Sequence, residues 1–134
     1  MITCFDIGGT TIKAATATGP DALTAIGRLP TPRDDFAAFA ATIGRLVAEG
    51  GAPPGSAIAI SVTGVVDPES GVTTVANIPC INGRHLARDL GEALGRRVLV
   101  ANDADCFVLA EAHAGAGRGH RVVFGAILGT GVGG

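Results

Sequence analysis

The stretch FDIGGTTIKAA, residues 5–15, decides how this chain begins to fold. It places the glycine loop DIGGTT (residues 6–11) between two strand-like runs, residues 2–5 and residues 11–18. Glycine adopts positive φ angles and lets a ligand approach the backbone closely. Successive N–H groups in such a turn form a concave site that suits phosphate. The stretch therefore predicts a hairpin whose turn, headed by the acidic residue Asp6, holds a phosphate group.

A second glycine loop, GTGVGG, occupies residues 129–134 and follows the apolar run of residues 122–128. The run is predicted to be a last strand, and the loop is predicted to be a second phosphate site. One glycine loop is a weak signal. Two of them indicate a nucleotide held between paired hairpins.

The composition limits the class of protein. The chain has 134 residues, 47% of them hydrophobic and 16% charged, which suffices for one globular domain with a core. A formal net charge of −2 argues against nucleic acid as a partner. No apolar stretch reaches the ~18 residues of a membrane span, and the N-terminus lacks the features of a signal peptide, so a cytoplasmic location is expected. The dispersed Cys4, Cys80 and Cys106 are predicted to be reduced, buried thiols.

Strands and helices alternate along the rest of the chain, which predicts an α/β fold with a mixed, mainly parallel sheet and helices packed on it. Apolar residues at helical spacing mark three helices, and Asp34 or Asp35 is expected to cap the first of them. The run of residues 57–62 predicts a strand buried on both faces. The further strands are predicted at residues 23–29 and 98–101. The helical faces are Phe36, Phe39, Ala40, Ile43, Leu46 and Val47, then Leu86, Leu90 and Leu94, then Ala104, Phe107, Val108 and Glu111 within residues 104–114.

Polar residues follow four of the predicted strands. They are the first glycine loop, Thr63-Gly64, Asn102-Asp103 and the last glycine loop. Ligands of parallel sheets bind beyond the carboxyl ends of the strands. The four features are therefore predicted to form one site on one edge of one sheet.

Asp103 is the candidate catalytic base. It follows a strand and precedes a helix, and the positive end of a helix favours an ionised carboxylate. Such a carboxylate can accept the proton of a hydroxyl that attacks a phosphoryl group. The alternative role is a cap of its own helix. Asp6 is expected to hold Mg²⁺, directly or through water, or to bind the N–H groups of its own loop.

Other polar side chains fit the same chemistry. The hydroxyls of Thr10 and Thr11 can donate to phosphate. Asn77 and Asn102 can both donate and accept, which suits sugar hydroxyls. Their alternative roles are turn formation for Asn77 and helix capping for Asn102. Lys13 is interpreted as a solvated surface charge rather than a phosphate contact.

Five segments of the chain carry a family resemblance. They are residues 5–15, SVTGVVDPESG (residues 61–71), ANIP (residues 76–79), ANDADCFVLAEA (residues 101–112) and LGTGVGG (residues 128–134). Taken together, these segments resemble the ROK family (repressor, ORF, kinase) of actin-like sugar kinases. Within the family, the resemblance is greatest to bacterial N-acetylglucosamine kinases, on LPTPRDDF (residues 29–36) and NIPCINGRHLARDL (residues 77–90).

The resemblance implies a ribonuclease H-like, actin-like ATPase fold. It also implies an enzyme that uses ATP and Mg²⁺ to phosphorylate the 6-hydroxyl of a sugar, with N-acetylglucosamine as the first expectation. Asp103 matches the family's catalytic base. The matching phosphate-binding residues are Asp6, Gly8, Gly9 and Thr10 in the first loop and Gly129, Thr130 and Gly131 in the second. The matching sugar-binding residues are Gly64, Asn77, Asn102 and Asp103.

The family has two domains that close over the substrate, and residues 1–134 match only the first. The second supplies further sugar ligands, a zinc site and most of the adenosine pocket. The chain is therefore expected to be an N-terminal domain with little activity of its own, from a protein about twice as long. A homodimer of the full-length protein is also an expectation.

Three alternatives stay open. Glucokinase, fructokinase and N-acetylmannosamine kinase belong to the same family and differ only in the sugar. A non-catalytic, sugar-responsive repressor of the family carries a helix-turn-helix before the first strand, whereas here that strand begins at Ile2 and Asp103 is retained. An actin-like ATPase without a sugar substrate would not need Asn77 or the Asn102-Asp103 pair.

Overall fold

The computed structural model describes residues 1–128 and 132–133, and its elements follow the predicted order except near the end of the chain. The helices are α1 (Phe36–Glu49), α2 (Leu86–Leu94) and α3 (Asp103–Ala114), and a 3₁₀ turn covers Pro79–Ile81. The strands are β1 (Ile2–Ile7), β2 (Thr11–Gly19), β3 (Ala22–Pro30), β4 (Ile58–Val62), β5 (Val65–Val66), β6 (Thr73–Thr74), β7 (Val98–Asn102), β8 (Ile127–Leu128) and β9 (Val132–Gly133).

The central sheet has five strands in the order β3-β2-β1-β4-β7. The first three strands pair antiparallel, as two consecutive hairpins, whereas β1, β4 and β7 are parallel neighbours. Parallel strands need long crossover connections, and α1 and α2 lie in these two connections. The carboxyl ends of β1, β4 and β7 consequently meet at one edge of the sheet, which we call the rim.

One face of the sheet carries the core. On β4, Ile58, Ile60 and Val62 are buried, whereas Ala59 and Ser61 are only half-buried. The prediction that this strand is buried on both faces is therefore wrong, because its second face is only partly covered. Burying an Ile, Leu or Phe side chain contributes about 1.5–3 kcal/mol, so this face supplies most of the stability. The helical residues buried in the same cluster are Phe39, Ala40, Ile43, Leu46 and Val47 of α1 and Leu86 and Leu90 of α2.

A polar cap begins one of the two helices on this face, and a glycine ends the other. Asp35, one of the two predicted candidates, caps α1, because its Oδ1 accepts hydrogen bonds from the N–H groups of Ala37 (2.8 Å) and Ala38 (3.1 Å). Gly95 ends α2 in the left-handed region, with φ at 62°. Glycine is the residue that adopts this conformation without a steric penalty.

α3 lies on the opposite face of the sheet, where Cys106 lies beside Ser61 of β4. The helix was predicted from residues at helical spacing, and it is present, but α3 has no buried residue. Phe107 is 40% exposed and Leu109 is 69% exposed. Helical spacing identifies the side of a helix that suits burial, but the burial itself depends on a partner surface.

The end of the chain also departs from the prediction. Only residues 127 and 128 of the predicted strand 122–128 form one, and this strand β8 pairs with β9 in a separate two-stranded sheet. Val122 is 87% exposed and Phe124 is 83% exposed. The predicted last strand, β8, therefore does not join the central sheet. The prediction failed because an apolar run favours a strand without specifying which strand it pairs with.

A short hairpin, β5–β6, lies between β4 and α2 and was not predicted from the sequence. In its turn, Asp67 Oδ1 accepts hydrogen bonds from the N–H groups of Ser70 (2.6 Å) and Glu69 (3.1 Å). The Ser70 backbone and hydroxyl groups hold the pKa of the Asp67 carboxyl below its usual value. Within the described residues, no helix combines the length and apolar character that a membrane span requires.

Candidate active site

The register of the parallel strands places the polar residues of the rim. Asp6 of β1 lies opposite Ser61 of β4, and Ser61 lies opposite Ala101 of β7. In the next row, Val62 lies opposite Asn102, the residue before Asp103. Neighbouring strands are about 4.8 Å apart, so the ends of β1 and β7 are separated by about 10 Å. That span is short enough for one bound molecule to contact both strands.

The glycine turn (residues 8–10) connects β1 to β2 at the rim. The N–H of Gly8 donates to the carbonyl oxygen of Thr11 at 3.0 Å, which closes the turn. The carbonyl groups of Gly8 and Thr10 accept hydrogen bonds from Thr31, just after β3. Among the hydrogen bonds within the described residues, none uses the N–H of Gly9 or Thr10. Those two donors are thus available to an anion.

Asp6 forms an ion pair with Lys13 at the rim. Lys13 Nζ lies 2.9 Å from Asp6 Oδ2, and the two side chains are 64% and 57% exposed. Lys13 is exposed, as interpreted from the sequence, but its charge is paired with Asp6 rather than only solvated. Exposed ion pairs contribute at most about 1 kcal/mol, so Asp6 can exchange Lys13 for a bound cation at little cost.

Asp103 is the first residue of α3 and half-buried. Its Oδ1 accepts a hydrogen bond from the N–H of Ala104 at 2.9 Å. The backbone thus orients the carboxylate at the start of α3.

Cys106, one turn along α3, lies close enough to acidic residues of both β1 and α3 for their charges to affect its pKa. Burial raises the pKa of the Cys106 thiol, and the charges of Asp105, Asp103 and Asp6 raise it further, whereas Ser61 opposes the shift. Asp6 and Ser61 lie opposite each other on neighbouring strands and therefore point to the same side of the sheet. Asp6 and the start of α3 are consequently on the same side of the sheet.

Asn102 connects the loop after β4 to α3. Its Nδ2 donates to the carbonyl oxygen of Gly64, and its Oδ1 caps α3 by accepting hydrogen bonds from the N–H groups of Ala104 (2.8 Å) and Asp105 (3.3 Å). Both ends of the Asn102 amide therefore have partners within the protein. Asn102 therefore acts as the cap of α3, which is one of the two roles predicted for it.

Asn77 lies against the glycine turn. A Cβ atom built on Gly9 would be 2.7 Å from Asn77 Nδ2, so no side chain larger than glycine fits at position 9 without displacing Asn77. The backbone carbonyl of Asn77 accepts a hydrogen bond from Arg33 Nε at 2.8 Å. Its Oδ1 atom is buried and has no partner among the described residues. One acceptor of the Asn77 amide is thus left unsatisfied within the described residues.

The structure therefore brings most of the predicted site residues to the rim. Gly129, Thr130 and Gly131 lie outside the described residues. Because β8 is not part of the central sheet, the prediction that all four polar features follow strands of one sheet is wrong for the last feature. Sequence reasoning missed Thr31 and Arg33 as site residues, since their segment, residues 29–36, entered only as part of the family resemblance. The predicted residues at the rim are Asp6, Gly8, Gly9, Thr10, Thr11, Gly64, Asn77, Asn102 and Asp103.

The described residues contain no group of three or more His, Cys, Asp or Glu side chains that could hold a metal ion. Mg²⁺ does not need such a group, because it binds through one or two carboxylates together with phosphates and water. The exposed carboxylate of Asp6, beside a turn with free N–H groups, fits that mode of binding.

The mixed sheet, with α1 and α2 on one face and α3 on the other, is the ribonuclease H-like fold of the actin-like ATPase domains. Two solved structures share it. The inorganic polyphosphate/ATP-glucomannokinase of Arthrobacter sp. strain KM matches with a TM-score of 0.79 and 34% identity, over 98% of this chain and 56% of its own. The ROK family glucokinase of Streptomyces griseus, in complex with glucose and AMPPNP, matches with a TM-score of 0.76 and 27% identity, over 98% of this chain and 42% of its own.

The chain belongs to the ROK family, whose sequence model matches residues 2–134. It is 42% identical to the N-acetylgalactosamine kinase AgaK of Shewanella sp. (strain ANA-3), over 97% of this chain and 42% of that protein. It is 40% identical to the N-acetyl-D-glucosamine kinase of Escherichia coli, over 97% of this chain and 44% of that protein. The chain thus spans less than half the length of these curated relatives.

Proposed function

We propose that this chain is the N-terminal domain of an ATP-dependent sugar kinase that phosphorylates the 6-hydroxyl of an N-acetylhexosamine, with N-acetyl-D-glucosamine as the first candidate. The observation that carries the proposal is the arrangement of the rim. Asp103 begins α3 on the side of the sheet to which Asp6 points, and the glycine turn adjoins it. The names of the relatives, which are N-acetylgalactosamine and N-acetylglucosamine kinases, support the amino sugar.

In this proposal, Asp103 is the general base. Its carboxylate accepts the proton of the sugar hydroxyl while the hydroxyl oxygen forms a bond to the γ-phosphorus of ATP. The bond between the γ-phosphorus and the bridging oxygen breaks, and ADP leaves. General bases contribute about 10²- to 10⁴-fold to such rates. The hydrogen bond from the N–H of Ala104 keeps the Asp103 carboxylate oriented.

The phosphates of ATP are assigned to the glycine turn. Its free N–H groups on Gly9 and Thr10 and the hydroxyls of Thr10 and Thr11 are the donors available in this region. Asp6 is the residue assigned to Mg²⁺, which supplies charge neutralisation on the phosphates when bound. The sugar is assigned to the space bordered by Gly64, Asn77, Asn102 and Asp103.

A second domain is also part of the proposal. The chain spans 42% and 44% of the two curated relatives. α3 has no buried residue, and Phe107, Leu109, Val122 and Phe124 are all exposed. A contiguous exposed apolar surface usually marks an interface. We assign it to contact with the part of the kinase that this chain does not contain.

An ADP-release assay on the protein at its natural length tests the proposal. The sugars compared are N-acetylglucosamine, N-acetylgalactosamine, N-acetylmannosamine, glucose and fructose. We expect the highest kcat/KM with an N-acetylhexosamine. Glucose is the second candidate, because the fold matches a glucokinase with a TM-score of 0.76. If no sugar stimulates ADP release, the kinase proposal is wrong.

The substitution Asp103→Asn tests the base. It keeps the size of the side chain and removes its basicity, so kcat should fall by about 10²- to 10⁴-fold. The matched control is Asp105→Asn, which removes the same charge from an exposed position in the first turn of α3. The control should change kcat by less than about five-fold, the effect of one charge at a helix end. A full rate in Asp103→Asn would reject the assignment.

A further inference from the structure

Thr31 holds both ends of the glycine turn. Its hydroxyl donates to the carbonyl oxygen of Gly8 at 2.7 Å, and its N–H donates to the carbonyl oxygen of Thr10 at 3.0 Å. The residue is 9% exposed, so these bonds are largely shielded from water. Shielded hydrogen bonds restrain the groups that they join more strongly than exposed ones. The geometry of the phosphate turn thus depends on a residue that follows β3.

The same segment also holds Asn77. Arg33, two residues after Thr31, donates from Nε to the carbonyl oxygen of Asn77 at 2.8 Å. The carbonyl group of Arg33 accepts a hydrogen bond from the N–H of Cys80 at 2.8 Å, and the carbonyl group of Pro32 accepts one from Cys80 Sγ at 3.3 Å. Residues 31–33, which we call the strap, therefore connect the glycine turn to the Asn77 segment.

The turn and the Asn77 segment also meet directly. A Cβ on Gly9 would lie 2.7 Å from Asn77 Nδ2 and 3.0 Å from Asn77 Cγ. The glycine turn, the strap and the Asn77 segment therefore form a closed ring of contacts. Asn77 Oδ1 is buried within it and has no partner among the described residues.

We propose that the strap couples sugar binding to nucleotide binding, with Thr31 and Arg33 as positioning residues. A sugar bound beside Asn77 would hold the Asn77 side chain against Gly9. This would stabilise the glycine turn in the geometry that Thr31 sets, so the bound sugar raises the affinity for ATP. The coupling is reciprocal, because two ligands on one protein change each other's affinity by the same factor. The inference rests on the proposed function of the rim.

Calorimetry on the protein at its natural length tests the coupling. The measured quantity is the Kd of AMPPNP in the presence of Mg²⁺, with and without saturating N-acetylglucosamine. For the wild type, we expect the sugar to lower this Kd by about five-fold or more. Arg33→Met should leave the Kd without sugar unchanged and reduce the effect of the sugar to less than two-fold, because the carbonyl of Asn77 loses its hydrogen bond with the Arg33 side chain.

Thr31→Val should act differently from Arg33→Met. It removes one shielded hydrogen bond, so the Kd of AMPPNP should rise by about three- to ten-fold even without sugar. Thr31→Ser retains the hydroxyl and should behave as the wild type. The matched controls are Thr3→Val, at a buried threonine whose hydroxyl has no partner among the described residues, and Arg97→Met, at an exposed arginine before the amino end of β7. Both should leave the Kd and the coupling unchanged.

Two negative results are distinguishable. If the wild type phosphorylates a sugar but Arg33→Met and Thr31→Val keep its full coupling, the strap is not the connection and the proposed function stands. If the wild type phosphorylates none of the sugars, the proposed function and the coupling are both wrong. Arg33 is exposed, so its substitution does not threaten the fold.

Discussion

Replacing Gly64 by alanine should disturb the site and the fold together. Gly64 has φ at +155°, a region almost confined to glycine. A Cβ at this position would lie 2.6 Å from the carbonyl oxygen of Thr74 and 2.6 Å from Val75 Cγ2. The carbonyl of Gly64 also accepts the hydrogen bond of Asn102, the cap of α3. A displaced Gly64 therefore loosens the start of the helix that carries Asp103.

The cost of Gly64→Ala has two parts. The unfavourable backbone conformation costs about 1–3 kcal/mol. Overlap with a packed backbone atom costs a further ~1–3 kcal/mol, because Thr74 can move only with its strand. The free energy of unfolding should therefore fall by about 2–6 kcal/mol. Gly55→Ala is the matched control, because Gly55 has φ at +81° and no atom lies within 4 Å of the place that the alanine methyl group would take. It should cost only about 1–2 kcal/mol.

Urea unfolding of the protein at its natural length measures both costs, with the midpoint and slope fitted for each variant. We also expect kcat to fall in Gly64→Ala and to stay at the wild-type value in Gly55→Ala, because Gly55 is far from the rim. If the two variants unfold within about 0.5 kcal/mol of each other, the steric argument at Gly64 is wrong. Unchanged kcat in a destabilised Gly64→Ala would refute the connection to Asp103.

Three further predictions concern other sites. Thr3→Val should raise the free energy of unfolding by about 1 kcal/mol, because it removes a buried hydroxyl without a partner among the described residues; a lower urea midpoint would contradict this. Gly9→Ala should raise KM for both ATP and sugar by about ten-fold in steady-state assays, because its methyl group displaces Asn77; a change in only one KM would refute the shared contact. Burial raises the pKa of the Asp89 carboxyl, but hydrogen bonds and charges from two arginines outweigh it and leave the pKa below the usual 3.8. The ionised carboxylate therefore adds stability above that pH, and the difference between wild type and Asp89→Asn should shrink in urea titrations as the pH falls below about 4; a constant difference would contradict it.

Local patterns were sufficient for most elements of the fold. Helical spacing of apolar residues identified α1 and α2, and the residues buried on them are those of the predicted faces, apart from the partly buried Phe36 and Leu94. The first three strands were predicted in order, with ends one or two residues too short. Such features succeed because a helix face or a strand is defined by residues close together in the chain.

Long-range features could not be predicted in this way. The apolar run of residues 122–128 was expected to extend the central sheet, yet most of it forms no strand. Helical spacing identified α3, but it did not indicate that none of its residues would be buried. In both cases the pairing strand or the covering surface is a property of the tertiary structure.

By itself, the sequence determined the fold class, the family resemblance and the candidate residues of the rim, because each of these depends on a short motif and its position after a strand. Only the tertiary structure joined these motifs. Thr31 lies 23 residues from Gly8, and Arg33 lies 44 residues from Asn77, yet each pair forms a hydrogen bond. Contacts at such separations depend on strand order and register, which no local pattern encodes. The connection between the phosphate turn and Asn77 is therefore a consequence of the fold.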